Sequence, residues 1–338
     1  MNIAINGFGR IGRQTFKAIL EKHSENLKVV AINDLTDTKT LAHLLKYDSA
    51  YGTYSKKVEH NENSLIVDGQ EYRVYAQKDP KALPWRDLNV DVVIESTGIF
   101  RSKEKANWHL EAGAKKVIIS APCQDDNEMK TIVLGVNEGD LKQEDNIFSM
   151  ASCTTNCLAP MTKIIEDNFG IEHALMTTTH SYTADQVLVD GPHKDMRRAR
   201  AAAANIIPTT TGAAVATGLV IPSLRGKFDG LSLRVPTIVC SVCDAVYVLK
   251  RDVSSEEVNE AIKRAAGEDR YKGILTCTNE PLVSSDYIGN PYSSIVDLEY
   301  TMVVGGRMLK MISWYDNEWG YSNRLADLAD YIRKNNLI

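Results

Sequence analysis

Cys153 stands in the run Ala151-Ser152-Cys153-Thr154-Thr155-Asn156-Cys157, just ahead of a helical pattern of apolar residues at Leu158, Met161, Ile164 and Ile165. His180 follows in Thr179-His180-Ser181-Tyr182-Thr183, at the end of an apolar strand pattern. A free cysteine is ordinarily a small buried hydrophobe. Here a helix start and an imidazole both favour the thiolate. The Cys153 backbone N–H is the natural donor to an oxyanion. A thiol, an imidazole and a dinucleotide-type turn at the N-terminus point together to oxidation of an aldehyde through a covalent thioester. The thiolate adds to the carbonyl, the imidazole takes the hydroxyl proton, and a nicotinamide takes the hydride. Pro160 is expected either to kink this helix or to delay its regular part.

The other thiols read differently. Cys157 lies one helical turn beyond Cys153 and is read as structural rather than as a redox partner. Cys240-x-x-Cys243 resembles half a metal site, but residues i and i+3 of a strand face opposite ways and no second ligand pair is present. Both are read as core, and no metal is expected.

Gly7-x-Gly9-x-x-Gly12 has a strand before it and a helix after it. The first glycine permits a tight turn, the second lets backbone approach a pyrophosphate, and the third lets helix pack on strand. Backbone N–H groups at the helix start face the anion. Asp34, at the end of the next strand, is placed to accept from the adenosine ribose hydroxyls and to repel a 2′-phosphate, so NAD is expected over NADP. Two further features suit anions. Arg197, Arg198 and Arg200 cluster before an alanine run, and Arg234 lies inside the apolar stretch 231–236, where a guanidinium needs a partner. Thr209-Thr210-Thr211-Gly212 precedes a helix. A phosphorylated substrate, and a second anion, follow as expectations.

These groups need elements to hold them. Short strands at 2–6, 27–32, 91–95, 116–119 and 131–134 alternate with helices to about residue 22 and near 103–112. This βαβ pattern predicts a doubly wound, mostly parallel Rossmann sheet. Beyond residue 170 longer alternating strands are predicted at 171–180, 229–236, 239–250 and 296–315, with helices near 210–220, 255–268 and 318–335. Strand runs beside separate helices predict an α+β catalytic domain with a largely antiparallel sheet. The fold class is therefore α/β, with a dinucleotide-binding domain at 1–152 and 317–338 and a catalytic and substrate domain at 153–316.

The chain has 338 residues, 43% hydrophobic and 25% charged, a composition ordinary for a globular protein of more than one domain. Its net charge of −5 argues against a nucleic-acid or membrane surface. The first residues read as a strand and not as a signal peptide. Six scattered cysteines suit a reducing cytoplasm better than a disulfide framework.

The chain resembles the phosphorylating glyceraldehyde-3-phosphate dehydrogenases of the bacterial type. Its markers run end to end: NGFGRIGR (6–13), IND (32–34), ESTG (95–98), SAP (120–122), ASCTTNC (151–157), HSYT (180–183), DGPHKDMRRARAAAANIIPTTTGAA (190–214), LRVPT (233–237) and WYDNEWGYS (314–322). The resemblance implies NAD-dependent oxidative phosphorylation of glyceraldehyde 3-phosphate, with Cys153 as nucleophile and His180 as base and later acid. It implies a substrate-phosphate site at Thr183, Asp185 and Arg234. An inorganic-phosphate site is implied at Ser152, Thr154, Thr211 and Gly212, with Arg198 able to reach both. Cofactor contacts are implied at Arg10, Ile11, Asp34, Ser96, Thr97, Ser120, Asn317 and Tyr321, beside the three glycines. A homotetramer is implied, because 181–206 resembles the family's S-shaped loop.

Three departures stand out. Cys123 follows Ala121-Pro122 where small or polar residues are usual, and adds a thiol that could react. Ser232 replaces a frequent Ala. Gly191-Pro192 is a variant of the cofactor-selecting loop whose Pro resembles the NAD-preferring pattern. Two alternatives come from the same chemistry: an erythrose-4-phosphate dehydrogenase, opposed by intact Ser181-Tyr182-Thr183 and Thr211-Gly212, and an NADP-linked isoform, opposed by Asp34 and Pro192. A non-catalytic NAD- or RNA-binding module is opposed by the retention of Cys153 and His180 and by the acidic balance.

Overall fold

A computed structural model describes residues 1–124 and 129–338. The chain forms two compact units. One comprises Met1–Ile132, Gly139–Ala151 and Ser322–Ile338, and the other Val133–Glu138 and Ser152–Tyr321.

Among the described residues of the first unit, nine strands form one sheet. Their order is Lys130–Thr131, Ile147–Ser149, Lys116–Ile119, Val92–Glu95, Asn2–Asn6, Lys28–Asn33, Gln70–Tyr75, Ser64–Val67 and Val58–His60. Neighbours run parallel as far as Gln70–Tyr75, and the last two pairings are antiparallel. The central strands are short runs of Val, Ile and Ala because helices cover both faces of a parallel sheet. Val92–Glu95 and Lys116–Ile119 are accordingly buried throughout. The crossover helix Arg10–Ala18 links the first two strands, and Lys103–Glu111 follows Ser102, whose hydroxyl accepts from the Lys105 N–H at 3.3 Å.

The second unit builds a seven-stranded sheet in the order Ile207–Thr210, Phe228–Val235, Ile171–Ser181, Ser241–Leu249, Met308–Tyr315, Ser294–Val304 and Leu275–Thr278. Four pairings are antiparallel and two parallel. Ser241–Leu249 alternates strictly between buried and half-buried residues, the mark of a sheet with one covered face. The helix Cys153–Phe169 covers that face. Thr162 Oγ1 lies 2.9 Å from the Tyr247 hydroxyl, and the Cys157 thiol reaches the Ser313 carbonyl at 3.6 Å.

The structure corrects several sequence expectations. The strand expected at 131–134 ends at Thr131, although Ile132 N–H still reaches the Ser149 carbonyl at 2.8 Å. Gly135, at φ +81°, turns the chain away. The stretch 296–315 is a hairpin, because Gly305 and Gly306 both hold positive φ and reverse the chain before Met308. Pro160 lies inside a helix that already begins at Cys153, so it does not delay the regular part. The polar meander through Val58–His60, Ser64–Val67 and Gln70–Tyr75 was not anticipated.

The unit boundaries also depart from 1–152, 153–316 and 317–338. Residues 133–138 count with the second unit, where Arg270 donates to the Val136 carbonyl at 2.7 Å. Ser152 and residues 317–321 do so too. Ser152 caps the Cys153 helix, and Ser241 donates to Asn317 Oδ1 at 3.0 Å.

Candidate active site

Cys153 is the first residue of its helix, and Ser152 is the N-cap, its hydroxyl accepting from the Thr155 N–H at 3.1 Å. The chain enters this turn through Ala151 at φ +55°, a conformation unfavourable for a residue with a side chain. The N–H groups of Cys153 and Thr154 have no carbonyl four residues back in the helix, so they point outward at its positive end. His180 reaches the same place from the end of the Ile171–Ser181 strand. Its Nε2 lies 3.5 Å from the Cys153 sulfur.

The histidine tautomer follows from its other nitrogen. Nδ1 lies 2.6 Å from the Ser181 carbonyl, which can only accept, so Nδ1 carries the proton. Nε2 therefore presents a lone pair to the thiol. The Arg234 guanidinium, 3.2 Å from Nδ1, is then an electrostatic neighbour of the ring and not its donor. Tyr315 abuts the ring edge-on, with centroids 6.0 Å apart. Its hydroxyl bridges Thr154 Oγ1 and Thr178 Oγ1 at 2.9 Å each. Tyr315 lies in the stretch 314–322, whose sequence alone points to no role for it.

Electrostatics modify the expectation of a lowered thiol pKa. Burial pushes the Cys153 thiol up to about 11, against the opposing pull of Arg234 and Thr154. Burial, followed by Arg234, pushes His180 down to about 3. Both shifts favour the uncharged forms, a thiol beside a neutral imidazole. The side chain of Cys153 is partly open to solvent, which tempers the burial penalty on the sulfur. The helix N-terminus acts in the opposite direction. Transfer of the thiol proton to Nε2 would turn the sulfur into a strong nucleophile.

A cationic patch flanks the pair. Arg234 stands opposite His180 in the parallel pairing of their strands. Its Nη1 contacts Thr183 Oγ1 and the Ser181 carbonyl, both at 3.2 Å. Its Nε is buried without a hydrogen-bond partner, an orphan that an anion would satisfy. Burial, and then the like charge of Arg198, lower the Arg234 pKa. Arg198 is fixed by Thr209 Oγ1 at 2.9 Å, the Thr210 carbonyl at 3.3 Å and the Asp185 carboxylate. Asp185 and Arg198 thus neutralise each other, which gives the aspartate a supporting place behind the cation. Gly212 caps the helix Ala213–Val220, and a Cβ there would meet open space. Thr211 Oγ1 accepts from the Ala213 N–H at 3.2 Å. The Thr154 hydroxyl turns inward to Tyr315, so Thr154 offers a ligand its N–H only.

The first unit holds a separate cavity of about 540 Å³. Of the expected cofactor residues, Gly7, Gly9, Asp34, Ser96 and Thr97 line it. The glycines sort by role. A Cβ on Gly7 would lie 2.7 Å from the Thr97 nitrogen, and one on Gly12 would lie 2.1 Å from the Gly7 carbonyl. One on Gly9 would project into empty space, where a pyrophosphate would lie. Gly9 also caps the helix without a side chain, leaving its first N–H groups for an anion. Asp34 is held by the Phe8 N–H at 2.7 Å and the Thr36 N–H at 2.9 Å. These residues fit a dinucleotide. Arg10, Ile11, Gly12 and Ser120 do not line the cavity, and the Arg10 side chain turns to Asp48 at 2.6 Å. Asn33, Gln77, Lys78, Ile99, Phe100 and Trp108 line it unanticipated. Asn317 and Tyr321 belong to the second unit, both buried. No cluster of metal-ligating side chains occurs among the described residues.

Comparison with known proteins agrees with this arrangement. Residues 1–103 match the family model of the glyceraldehyde 3-phosphate dehydrogenase NAD binding domain, and residues 152–317 match that of its C-terminal domain. The chain is 56% identical to the glyceraldehyde-3-phosphate dehydrogenase of Thermotoga maritima, covering 98% of this chain and 99% of that protein. It is 55% identical to that of Geobacillus stearothermophilus (100% and 99% covered) and 54% identical to that of Borreliella burgdorferi (99% and 100%). The chain belongs to the glyceraldehyde 3-phosphate dehydrogenase family.

Proposed function

We propose that Cys153 and His180 carry out the NAD-dependent oxidative phosphorylation of D-glyceraldehyde 3-phosphate to 1,3-bisphosphoglycerate, the step of glycolysis assigned to this family. The observation that carries the reading is the 3.5 Å approach of the Cys153 sulfur to a His180 Nε2 that can only accept. His180 takes the thiol proton as sulfur attacks the aldehyde carbon. It returns that proton to the new oxyanion, which the N–H group of Cys153 stabilises meanwhile. The product is a thiohemiacetal. Bound NAD supplies a hydride acceptor. As the carbon is oxidised to the thioester, His180 removes the hydroxyl proton again, and its Nδ1–H stays on the Ser181 carbonyl throughout. Phosphate then attacks the acyl carbon and expels the sulfur, which recovers a proton from His180.

Steady-state NADH formation tests this reading, with glyceraldehyde 3-phosphate or erythrose 4-phosphate as substrate, each with and without phosphate. Preference for the three-carbon aldehyde and dependence on phosphate are expected; preference for erythrose 4-phosphate would assign the chain to the sister activity.

The two anion sites are separable. Arg234, with Thr183, is assigned the phosphate of the aldehyde. Arg234→Gly should reduce kcat/KM for the aldehyde by roughly 30- to 1000-fold, from the loss of about 2–4 kcal/mol of charge-assisted binding. Thr211 and Gly212, at the start of their helix, are assigned inorganic phosphate together with Ser152, the Thr154 N–H and Arg198. Thr211→Ala removes one hydroxyl worth about 1 kcal/mol, so the KM for phosphate should rise about fivefold. If the aldehyde KM rises instead while the phosphate KM holds, the assignment is reversed.

Asp34 is assigned the adenosine ribose and the choice of NAD. Asp34→Gly should lower kcat/KM for NAD and narrow its advantage over NADP, because a ribose acceptor and a repulsive charge vanish together. Lys78, on the same cavity, would then face a 2′-phosphate. An unchanged ratio of the two kcat/KM values would remove Asp34 from this role.

A homotetramer is inferred. Leu188, Val189, Met196 and Ile206 in the 181–206 loop are largely exposed, and so are Leu175 and Val304 on the open face of the second sheet, apolar surface that contacts between subunits would cover. Sedimentation at four times the 37.5 kDa chain mass is expected, and a monomer would refute it. A cytoplasmic location is inferred from six unbridged cysteines. No helix among the described residues is long and apolar enough to cross a membrane.

A further inference from the structure

Beneath the nucleotide cavity, three adjacent strands of the first unit end in polar residues that share one register. Asn6 pairs with Glu95 on one side and with Asn33 on the other. All three side chains are at least 95% buried. They are linked in a row. Asn6 Nδ2 donates to Glu95 Oε2 at 2.5 Å, and Asn33 Nδ2 donates to Asn6 Oδ1 at 2.7 Å. Asn33 also grips the backbone of Gln77, donating to its carbonyl and accepting from its N–H, both at 2.9 Å. Glu95 Oε1 accepts from the Thr97 N–H at 2.8 Å and from the Thr97 hydroxyl. The row thereby fixes segments 77–78 and 96–97, which form part of the cavity wall.

A second branch fixes the tautomer of His109. The indole N–H of Trp85 reaches His109 Nδ1 at 3.0 Å, and an indole can only donate. His109 Nδ1 must therefore accept, and its proton sits on Nε2, which donates to Glu95 Oε2 at 3.0 Å. Trp85 and His109 are fully buried. Glu95 thus receives donors from Asn6, His109 and Thr97, with no Lys or Arg ion-paired to it among the described residues. This surrounding offers donors alone and suits a carboxylate.

We propose that Glu95 is a positioning residue for the cofactor: its buried carboxylate, held by Asn6, Thr97 and a His109 locked as the Nε2–H tautomer by Trp85, sets the spacing of the cavity walls that receive NAD. The proposal rests on the reading of this cavity as the cofactor site. Glu95→Gln keeps the shape but sets an amide N–H₂ against donors. If the amide oxygen takes the Thr97 side, its nitrogen faces Asn6 Nδ2 and His109 Nε2–H. His109 cannot relieve the clash by moving its proton, because Nδ1 is occupied by Trp85.

The test is direct NAD binding by calorimetry or fluorescence on the full chain, beside kinetics. Wild-type protein serves as the control; its failure to bind NAD would fault the cofactor reading and not this one. With wild-type binding established, Glu95→Gln should raise the NAD Kd about tenfold or more, while kcat at saturating NAD and the KM for the aldehyde stay within about twofold. Trp85→Phe added to Glu95→Gln should recover part of the affinity, since His109 is then free to switch tautomer and accept from the new amide. A purely structural role would make the two losses add. An unchanged Kd in Glu95→Gln, or additive losses in the double variant, overturns the proposal. Should the double variant fail to fold, nitrogen-15 NMR of the wild-type histidines decides the same point. A His109 ring protonated at Nε2 and bare at Nδ1 upholds the lock, and protonation at Nδ1 refutes it.

Discussion

Cys153→Ser is expected to abolish turnover while NAD binding stays nearly intact. The substituted oxygen would occupy the same first-turn position, within reach of His180 Nε2, so geometry is conserved. What is lost is nucleophilicity. A serine hydroxyl is far harder to ionise than a thiol, and burial here already pushes the thiol up to about 11. The proton of a serine hydroxyl is also far harder for His180 to take than that of a thiol. The NAD cavity belongs to the first unit and does not include Cys153, so the NAD Kd should change little. A variant retaining more than about one per cent of the wild-type kcat would exclude Cys153 as the nucleophile.

His180→Asn is expected to lower kcat by roughly 10²- to 10⁴-fold, the usual worth of general acid–base catalysis. The substitution also gives a pH signature whose sign is fixed. In the wild type the thiol proton has an internal acceptor 3.5 Å away, so alkylation of Cys153 by iodoacetamide is expected at neutral pH. Without that acceptor the proton must leave to solvent. The thiol is then an isolated buried group whose pKa is raised, so it stays protonated and unreactive below that pKa. It gains reactivity only as the pH climbs above the ordinary thiol range. The variant should therefore alkylate slowly at pH 7 and accelerate with rising pH. Alkylation at pH 7 as fast as in the wild type would separate His180 from the thiol.

The contrast between these residues and Glu95 shows what a sequence discloses. Cys153 and His180 are legible because a thiol at a helix start and an imidazole at a strand end are rare in those places, and the flanking hydroxyls reinforce them. The dinucleotide turn is legible because three glycines at fixed spacing stand between a strand and a helix; a Cβ on Gly7 or Gly12 would collide with nearby backbone, whereas Gly9 faces open space. The row from Trp85 to Asn33 is different. Its members are scattered along the chain, and each alone is an ordinary polar or aromatic residue. Their relation exists only once parallel strands align Glu95, Asn6 and Asn33 in register. The same limit explains the thiol. The helix N-terminus that lowers its pKa is local and readable, whereas the burial that raises it is tertiary. The inward turn of the Thr154 hydroxyl and the Asp185–Arg198 pair likewise depend on partners distant in sequence. The meander over 58–75 escaped notice because its strands are short and carry polar residues such as Glu59, His60, Gln70, Glu71 and Arg73.

The central claim is covalent catalysis at one sulfur. It is tested most directly by mass spectrometry of the protein mixed with NAD and glyceraldehyde 3-phosphate in the absence of phosphate. One 3-phosphoglyceroyl group per chain is expected, mapped to the peptide containing Cys153. Adding inorganic phosphate should discharge it with formation of 1,3-bisphosphoglycerate, and Cys153→Ser should carry none. NADH formation without any acyl group on Cys153, or an acyl group resident on Cys123 or Cys157 instead, would contradict the account.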